Sequence, residues 1–141
     1  MIKKINEKLV AKLIKDDPVR PHINTRWRTS PGKEVYALFD ENQNVRSVIC
    51  VAYTDEVPIN EDALKWRGME VAVFYTVWSY DKGAGREIVN SVSQKIKKRN
   101  PYVKRFVTLS PLTKMAEDFH LRNGAKFIGK HTSCQNFEYF I

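Results

Sequence analysis

Residues 69–86 read MEVAVFYTVWSYDKGAGR, a mostly apolar run followed by a short polar turn that contains two glycines. The run Met69–Trp78 is the most apolar segment of the chain and predicts a central strand covered on both faces. The turn over Tyr80–Arg86 leads into a predicted helix with four apolar residues on one side: Ile88, Val89, Val92 and Ile96. A buried strand that passes through glycines into a helix is typical of two structures, a ligand-binding turn and a turn whose glycines serve only tight packing.

The segments on either side of this unit predict a mixed, mostly antiparallel sheet flanked by helices. On the N-terminal side we expect a helix over residues 6–15 capped by Asn6, an irregular segment over 19–33, and an antiparallel hairpin from strands 34–39 and 45–53. Residues 54–68 are polar and allow one helical turn, at 61–66. The alternation of strands and helices gives an α/β fold class.

The C-terminal third continues the same pattern after the central helix ends at Asn100-Pro101. We expect a strand over 103–109, then a helix with Ser110 as its N-cap and Pro111 as its first residue. Its inner face is predicted to consist of Leu112, Met115, Ala116 and Phe119. A terminal hairpin over 125–128 and 137–141 completes the sheet.

Composition limits the class of protein and its compartment. The 141 residues fit one domain, in which residues 1–33 form a variable helical and loop part. Two distant cysteines without a CxxC spacing predict neither a disulfide framework nor a metal site, and the three histidines have no metal-ligand spacing. No segment suits a signal peptide or a membrane span, so we expect a cytoplasmic protein; oligomeric state stays open.

Charge points to an anionic partner. The 24 Lys and Arg exceed the 16 Asp and Glu, which gives a formal net charge of +8. In the turn, glycines let the backbone approach a ligand, free amides at the helix start attract phosphate, and Lys82 and Arg86 add positive charge. Neither common nucleotide motif is present, since the P-loop pattern is absent and Ile88 stands where a dinucleotide fingerprint needs its third glycine.

The turn resembles the acyl-CoA signature of the GNAT acetyltransferase superfamily. In that signature a strand is followed by Arg or Gln, then Gly three residues later, then Gly or Ala, then a helix. Here Tyr80 takes the first position, and Gly83 and Gly85 match. A second family block resembles the stretch that carries Thr113, Ala116, Phe119, His120, Arg122, Gly124 and Ala125. The resemblance covers residues 34–141. The departures are Tyr80 for a cation, Thr113 for Asn, and His120 for Tyr.

This resemblance implies an acyl-CoA cofactor, acetyl-CoA in the first instance. The backbone of Tyr75 and Val77 would bind the pantetheine arm, and amides of the turn would hold the pyrophosphate. The implied cofactor-binding residues are Tyr75, Val77, Tyr80, Asp81, Lys82, Gly83, Ala84, Gly85, Arg86 and Thr113.

A second resemblance concerns malonyl-CoA decarboxylase, a family with a GNAT-like domain. Thr108-Leu109-Ser110-Pro111 and Phe119-His120-Leu121-Arg122-Asn123-Gly124-Ala125 are similar to its catalytic motifs. The resemblance implies Ser110 and His120 as catalytic residues. Imidazole also suits proton transfer near neutral pH, whereas Ser110 has an alternative role as a helix cap. Glu56 is a further candidate base.

Three functional hypotheses therefore stand side by side. The first is transfer of an acetyl group from acetyl-CoA to an amine of unknown identity. The second is a catalytically inactive binding module of the same fold with an anionic nucleic-acid or protein partner, which the basic run Lys95, Lys97, Lys98, Arg99, Lys104 and Arg105 would contact. The third is decarboxylation of malonyl-CoA by Ser110 and His120.

Overall fold

Eight strands form one sheet and four α-helices flank it, in a computed structural model that describes residues 1–141. The strands are β1 (Ile2–Lys4), β2 (Lys33–Phe39), β3 (Val45–Thr54), β4 (Val71–Ser79), β5 (Arg105–Thr108), β6 (Ser110–Pro111), β7 (Lys126–Lys130) and β8 (Cys134–Tyr139). The helices are α1 (Glu7–Leu13), α2 (Thr25–Arg28), α3 (Ala84–Arg99) and α4 (Lys114–Arg122), with 3-10 turns at Ile14–Asp16 and Asp62–Lys65. The α/β fold class predicted from the sequence is confirmed.

Strand β4 lies at the centre of the sheet. Strands β1 to β4 pair in antiparallel order, whereas β4 and β5 pair in parallel because α3 makes the crossover between them. Strands β5 and β6 pair with one edge of β8, and β7 pairs with the other edge. Residues 71–76 of β4 are all buried, as expected for a strand covered on both faces.

Two apolar clusters cover the two faces of the sheet. On one face the side chains of α3 pack on the strands, and the four apolar residues predicted for this helix are fully buried. On the other face the cover comes from α1 and the segments around Ile23 and Leu64. Residues of the N-terminal part and the start of α3 therefore lie on opposite faces of the sheet. No helix combines the length and hydropathy of a membrane span.

A β-bulge at Tyr75 bends β4 halfway along its length. In the register with β3, Val51 lies opposite Phe74 and Cys50 lies opposite Thr76, so Tyr75 is an extra residue. The parallel pairing with β5 also ends at Phe74, whose carbonyl accepts from the Leu109 amide at 3.1 Å. Because a bulge bends its strand, the second half of β4 separates from the neighbouring strand and opens a gap in the sheet.

Backbone groups of β4 face this gap. The Tyr80 amide donates to the carbonyl of Arg46, at the start of β3, at 2.8 Å. Two-residue alternation along an antiparallel pair then directs the backbone groups of Trp78 toward β3 and those of Val77 and Ser79 into the gap. Unpaired strand groups are strong hydrogen-bonding sites that a ligand with an amide chain satisfies.

A buried ion pair anchors the N-terminal segment, here residues 14–30, to the sheet. Arg28 Nη1 lies 2.7 Å from Asp17 Oδ2, and both side chains are 0% exposed. The Thr76 hydroxyl donates to Asp17 Oδ1 at 2.9 Å. Burial alone would raise the pKa of Asp17, but hydrogen bonds from the amides of Arg20 and Val19 and from Arg28 hold this pKa below its ordinary value.

Arg20 extends the network to the bulge. Its Nη1 donates to the carbonyl of Tyr75, and its Nε donates to Glu61 Oε1 at 3.0 Å. The backbone carbonyl of Arg20 in turn accepts from Arg28. The sequence predicted only an irregular segment here. The network was missed because Arg20 meets Tyr75 and Glu61 from 55 and 41 positions away, whereas α2 was missed although Asn24 is a local N-cap signal for it.

Two local predictions for the C-terminal third are wrong. Ser110 and Pro111 do not start a helix, because they pair as β6 with Cys134 and Gln135 of β8. The helix starts later, with Thr113 as N-cap, whose hydroxyl accepts from the Ala116 amide at 3.2 Å.

The predicted inner face of α4 is correct for Ala116 and Phe119, which are half-buried, with Phe119 packed against the core, but wrong for the other two residues. Leu112 is 41% exposed and Met115 is 82% exposed, whereas the buried residue of this helix is His120. Strand β1, which pairs with β2, was also not predicted. By contrast, the Asn6 cap, the hairpin of β2 and β3, and the end of α3 at Asn100 are confirmed.

Substitution of Arg28 by Met tests the anchoring role of the buried pair. Removal of the guanidinium leaves the Asp17 carboxylate buried without its counter-ion, and we expect a loss of about 3–5 kcal/mol in the free energy of unfolding. Chemical denaturation measures this value. The matched control is Lys104→Met, which breaks an exposed pair with Glu70 and should cost less than about 1 kcal/mol. Equal losses in the two variants would contradict the anchoring role.

Candidate active site

The gap beside β4 opens into a cleft of about 820 Å³. One wall is β4 from Phe74 to Tyr80, and the opposite wall is formed by residues 109–111 and the first two turns of α4. Asp16, Pro18 and Val19 of the N-terminal segment border the cleft, as does Gly85 at the start of α3. The cleft is thus reached from both faces of the sheet.

Seven of the residues proposed from the sequence line this cleft: Tyr75, Val77, Tyr80, Gly85, Ser110, Thr113 and His120. The other five, Asp81, Lys82, Gly83, Ala84 and Arg86, belong to the adjoining turn and the first turn of α3. The fold therefore brings together segments that lie up to 45 positions apart, from Tyr75 to His120. Glu56 is exposed and lies outside the cleft, so the structure does not support it as a base.

The start of α3 presents backbone amides that have no acceptor in the protein. The Ala84 amide donates to the Asp81 carbonyl at 3.1 Å, and the Glu87 amide donates to Gly83 at 3.1 Å. The amides of Gly85 and Arg86 make no such bond. Free amides at the first turn of a long helix carry partial positive charge and favour an anion.

Two glycines make this turn possible for different reasons. Gly83 has φ +80, the left-handed region in which other residues are strained, and it is the N-cap of α3. Gly85 has ordinary dihedrals, but a Cβ there would lie 3.2 Å from Cε1 of Phe119 on α4. Its missing side chain allows close approach of α3 and α4 beside the cleft.

Some of the charged side chains at the turn form ion pairs within the protein, and others do not. The Asp81 carboxylate pairs with Arg46 Nε at 2.9 Å, and the same guanidinium pairs with Glu87. No acidic side chain pairs with Lys82 or Arg86, so both remain available to an anion. The basic run elsewhere is partly neutralised, because Arg99, Lys104 and Arg105 pair with Glu34, Glu70 and Glu138.

His120 lies in the wall of the cleft among aromatic rings. It is 7% exposed and stacks on Phe137 at a ring-centroid distance of 5.4 Å, with Phe119 and Tyr139 edge-on. Burial in these surroundings lowers the pKa of His120 to about 4. The imidazole is therefore neutral at pH 7.

A hydrogen-bond chain sets the tautomer of this imidazole. The Asn123 side-chain amide donates to the Tyr139 hydroxyl at 3.3 Å, and that hydroxyl lies 2.7 Å from His120 Nδ1. With the Asn123 side-chain nitrogen facing the hydroxyl, Nδ1 is the only acceptor among the two partners of this hydroxyl, so the hydroxyl hydrogen is directed to Nδ1. The proton of neutral His120 is then on Nε2, which makes this atom a hydrogen-bond donor.

Ser110 is held by a different neighbour. Its hydroxyl lies 2.8 Å from the Thr108 hydroxyl, which accepts from the Phe137 amide at 3.1 Å. Ser110 makes no hydrogen bond to His120, although both line the cleft. An activated serine needs a base within hydrogen-bond reach, and this pair lacks that contact.

Tyr80 is directed to the N-terminal segment. Its hydroxyl donates to Asp16 Oδ2 at 2.7 Å and accepts from Trp78 Nε1 at 3.0 Å. Burial, reinforced by the Asp16 carboxylate, raises the pKa of Tyr80 to about 12. Asp16, Pro18 and Val19 were missed from the sequence, since nothing local connects residues 16–19 with β4.

The low pKa of His120 makes stability depend on pH. The pKa of the folded state lies below the ordinary 6.5, so the unfolded chain binds more protons as pH falls from 6.5 toward 4. Stability should fall across this window by about 3 kcal/mol in total. Denaturant unfolding at about pH 7.5 and about pH 5 should show about 2 kcal/mol of this loss, which His120→Gln should largely abolish. A loss of the same size in the variant would assign the pH effect to other groups.

Comparisons with known proteins agree with this geometry at the level of the fold. No protein-family model matches the sequence, and no curated protein matches it. Solved structures do match. Malonyl-CoA decarboxylase from Rhodopseudomonas palustris is 17% identical with a TM-score of 0.77, over 100% of this chain and 60% of that chain.

Two further solved structures also match the fold of this chain. Malonyl-CoA decarboxylase from Agrobacterium vitis is 21% identical with a TM-score of 0.69, over 84% of this chain and 35% of that chain. NAA60 from Arabidopsis thaliana, solved in complex with acetyl-CoA, is 11% identical with a TM-score of 0.70, over 100% of this chain and 98% of that chain.

The lengths differ between the two kinds of match. This chain spans from 35% to 60% of the length of the two decarboxylases described above, but nearly all of the acetyltransferase. The chain has the fold of the GNAT acetyltransferase superfamily, which malonyl-CoA decarboxylase shares.

Proposed function

We propose that this protein is an acyl-CoA-dependent acyltransferase that transfers an acetyl group from acetyl-CoA to an amine. The observation that carries the proposal is the presence of two sets of free backbone groups at the cleft. The first is the backbone of Val77 and Ser79 on β4, and the second is the pair of amides of Gly85 and Arg86 at the start of α3, where Gly85 lines the cleft.

Coenzyme A has the matching order of chemical groups. Its pantetheine arm contains two amides, which hydrogen-bond to an unpaired strand in the way an added peptide strand does. Its pyrophosphate is an anion for the start of α3, with Lys82 and Arg86 as counter-charges. The thiol end then points along β4 toward the bulge, between His120 and the N-terminal segment. The cofactor site that we propose therefore consists of the backbone of Val77 and Ser79, the start of α3, and the side chains of Lys82 and Arg86.

The transfer itself needs little covalent participation from the protein. The amine attacks the thioester carbonyl, the C–N bond forms, and the C–S bond breaks with its electron pair on sulfur. The proton released from nitrogen leaves through solvent, and the sulfur departs as thiolate or takes up a proton. A hydrogen bond from a strand amide or from His120 Nε2 stabilises the negative charge that develops. With a pKa of about 4, His120 acts as a neutral donor and not as a base at pH 7.

Binding of acetyl-CoA is the first test. Isothermal titration should give one site with a dissociation constant between about 1 μM and 1 mM, the usual range for enzyme substrates. Gly85→Val should weaken binding at least about tenfold, because its side chain covers the free amides and meets Phe119. The matched control is Gly129→Val on β7, where a Cβ makes only ordinary contact. No binding at millimolar acetyl-CoA would refute the proposal.

Decarboxylation of malonyl-CoA is a second candidate, favoured by one observation. Ser110 and His120, the residues that resemble catalytic positions of malonyl-CoA decarboxylase, both line the cleft. Against it, no Lys or Arg side chain lines the cleft to hold the malonyl carboxylate. The reaction would consume one proton and release acetyl-CoA and carbon dioxide.

Product analysis separates the two reactions. After incubation with malonyl-CoA alone, we expect no acetyl-CoA above the rate of the uncatalysed reaction. After incubation with acetyl-CoA and a primary amine, we expect free coenzyme A and the N-acetyl product. Formation of acetyl-CoA that is lost in Ser110→Ala would instead establish decarboxylation.

A further inference from the structure

The cleft has a charge pattern opposite to that of the whole protein. The chain has a net charge of +8, yet no Lys or Arg lines the cleft. Its one acidic side chain is Asp16, and its one histidine, His120, is neutral at pH 7. A ligand group that reaches this region from solvent meets a single negative charge.

Asp16 is held in place but not neutralised. Its Oδ2 accepts the hydroxyl of Tyr80, which is fixed in turn by the indole of Trp78. The raised pKa of Tyr80 keeps this hydroxyl protonated. No cation of the protein pairs with Asp16, and its Oδ1 accepts no hydrogen bond. Arg46, whose carbonyl accepts from the Tyr80 amide, is committed to Asp81 and Glu87.

The position of Asp16 assigns it to the acceptor side. The N-terminal segment packs on the face of the sheet opposite to α3. If acyl-CoA approaches from the start of α3, as proposed above, the second substrate enters from the face that carries Asp16, Pro18 and Val19. The two substrates then meet in the gap beside Tyr75.

The carboxylate of Asp16 would slow the transfer if it bound the reacting nitrogen itself. An adjacent negative charge favours the ammonium form, which has no free electron pair for attack. The useful role is to bind a second positive charge on the same molecule. Resting on the proposed transferase function, we propose that Asp16 binds a cationic group of the acceptor, and that the acceptor is a diamine or polyamine whose other amine is acetylated.

Three amines with four carbon atoms each test this assignment. The probes are 1,4-diaminobutane, 1-aminobutane and 4-aminobutanoate, whose far ends are a positive ammonium, a neutral methyl group and a negative carboxylate. With the wild-type protein kcat/KM should fall in that order. In Asp16→Asn the ratio of kcat/KM for 1,4-diaminobutane over 1-aminobutane should fall about fivefold, through KM. The control Glu41→Gln removes an exposed carboxylate of the β2–β3 turn and should keep the wild-type ratio.

A binding measurement keeps this inference separate from the transferase proposal. Titration of 1,4-diaminobutane into the protein, both with and without coenzyme A, should show binding that Asp16→Asn weakens by the same factor. If the wild-type protein does not bind acetyl-CoA, or transfers acetyl to no amine, the proposed function is refuted. The binding of 1,4-diaminobutane at Asp16 is a separate measurement and does not depend on that outcome. Unchanged selectivity in Asp16→Asn, or no binding of 1,4-diaminobutane by the wild-type protein, would overturn the assignment of Asp16.

Discussion

The hydrogen bond from Arg20 to the carbonyl of Tyr75 is the interaction on which the rest of the structure depends. Tyr75 is the residue at which β4 bulges and leaves β5, so its carbonyl has no strand partner there. A buried carbonyl without a partner is costly, and the guanidinium satisfies it. The gap, the free groups of Val77 and Ser79, and the position of the cleft all follow from this bent conformation.

The charges that support the bulge are themselves buried and mutually dependent. Arg20 is oriented by Glu61 and by the contact of its carbonyl with Arg28, and Arg28 is held by Asp17. Burying such groups is unfavourable unless every hydrogen-bonding position is used, and here Asp17 accepts from two amides, a hydroxyl and a guanidinium. An apolar cover of the same shape would bury as much surface but would leave the Tyr75 carbonyl unsatisfied.

The parts of this fold that the sequence predicts are those specified by residues close together in the chain. The apolar run of β4, the glycines at 83 and 85, and the apolar side of α3 each form a local pattern. Ser110-Pro111 shows the limit, since it has the composition of a helix start, but pairing with Cys134 and Gln135 makes it a strand. The bulge, the Arg20 network and Asp16 depend on partners more than 50 positions away and leave no local pattern.

The hydrogen bond between Arg20 and Tyr75 also connects the two sides of the cleft. One end of this contact belongs to the segment that borders the cleft on one face, and the other end belongs to the strand that forms its wall. A ligand that displaces Arg20 together with residues 16–19 would also disturb the hydrogen bond to the carbonyl of Tyr75. Thermodynamic linkage then requires that the occupancy of either face changes affinity at the other by the same factor.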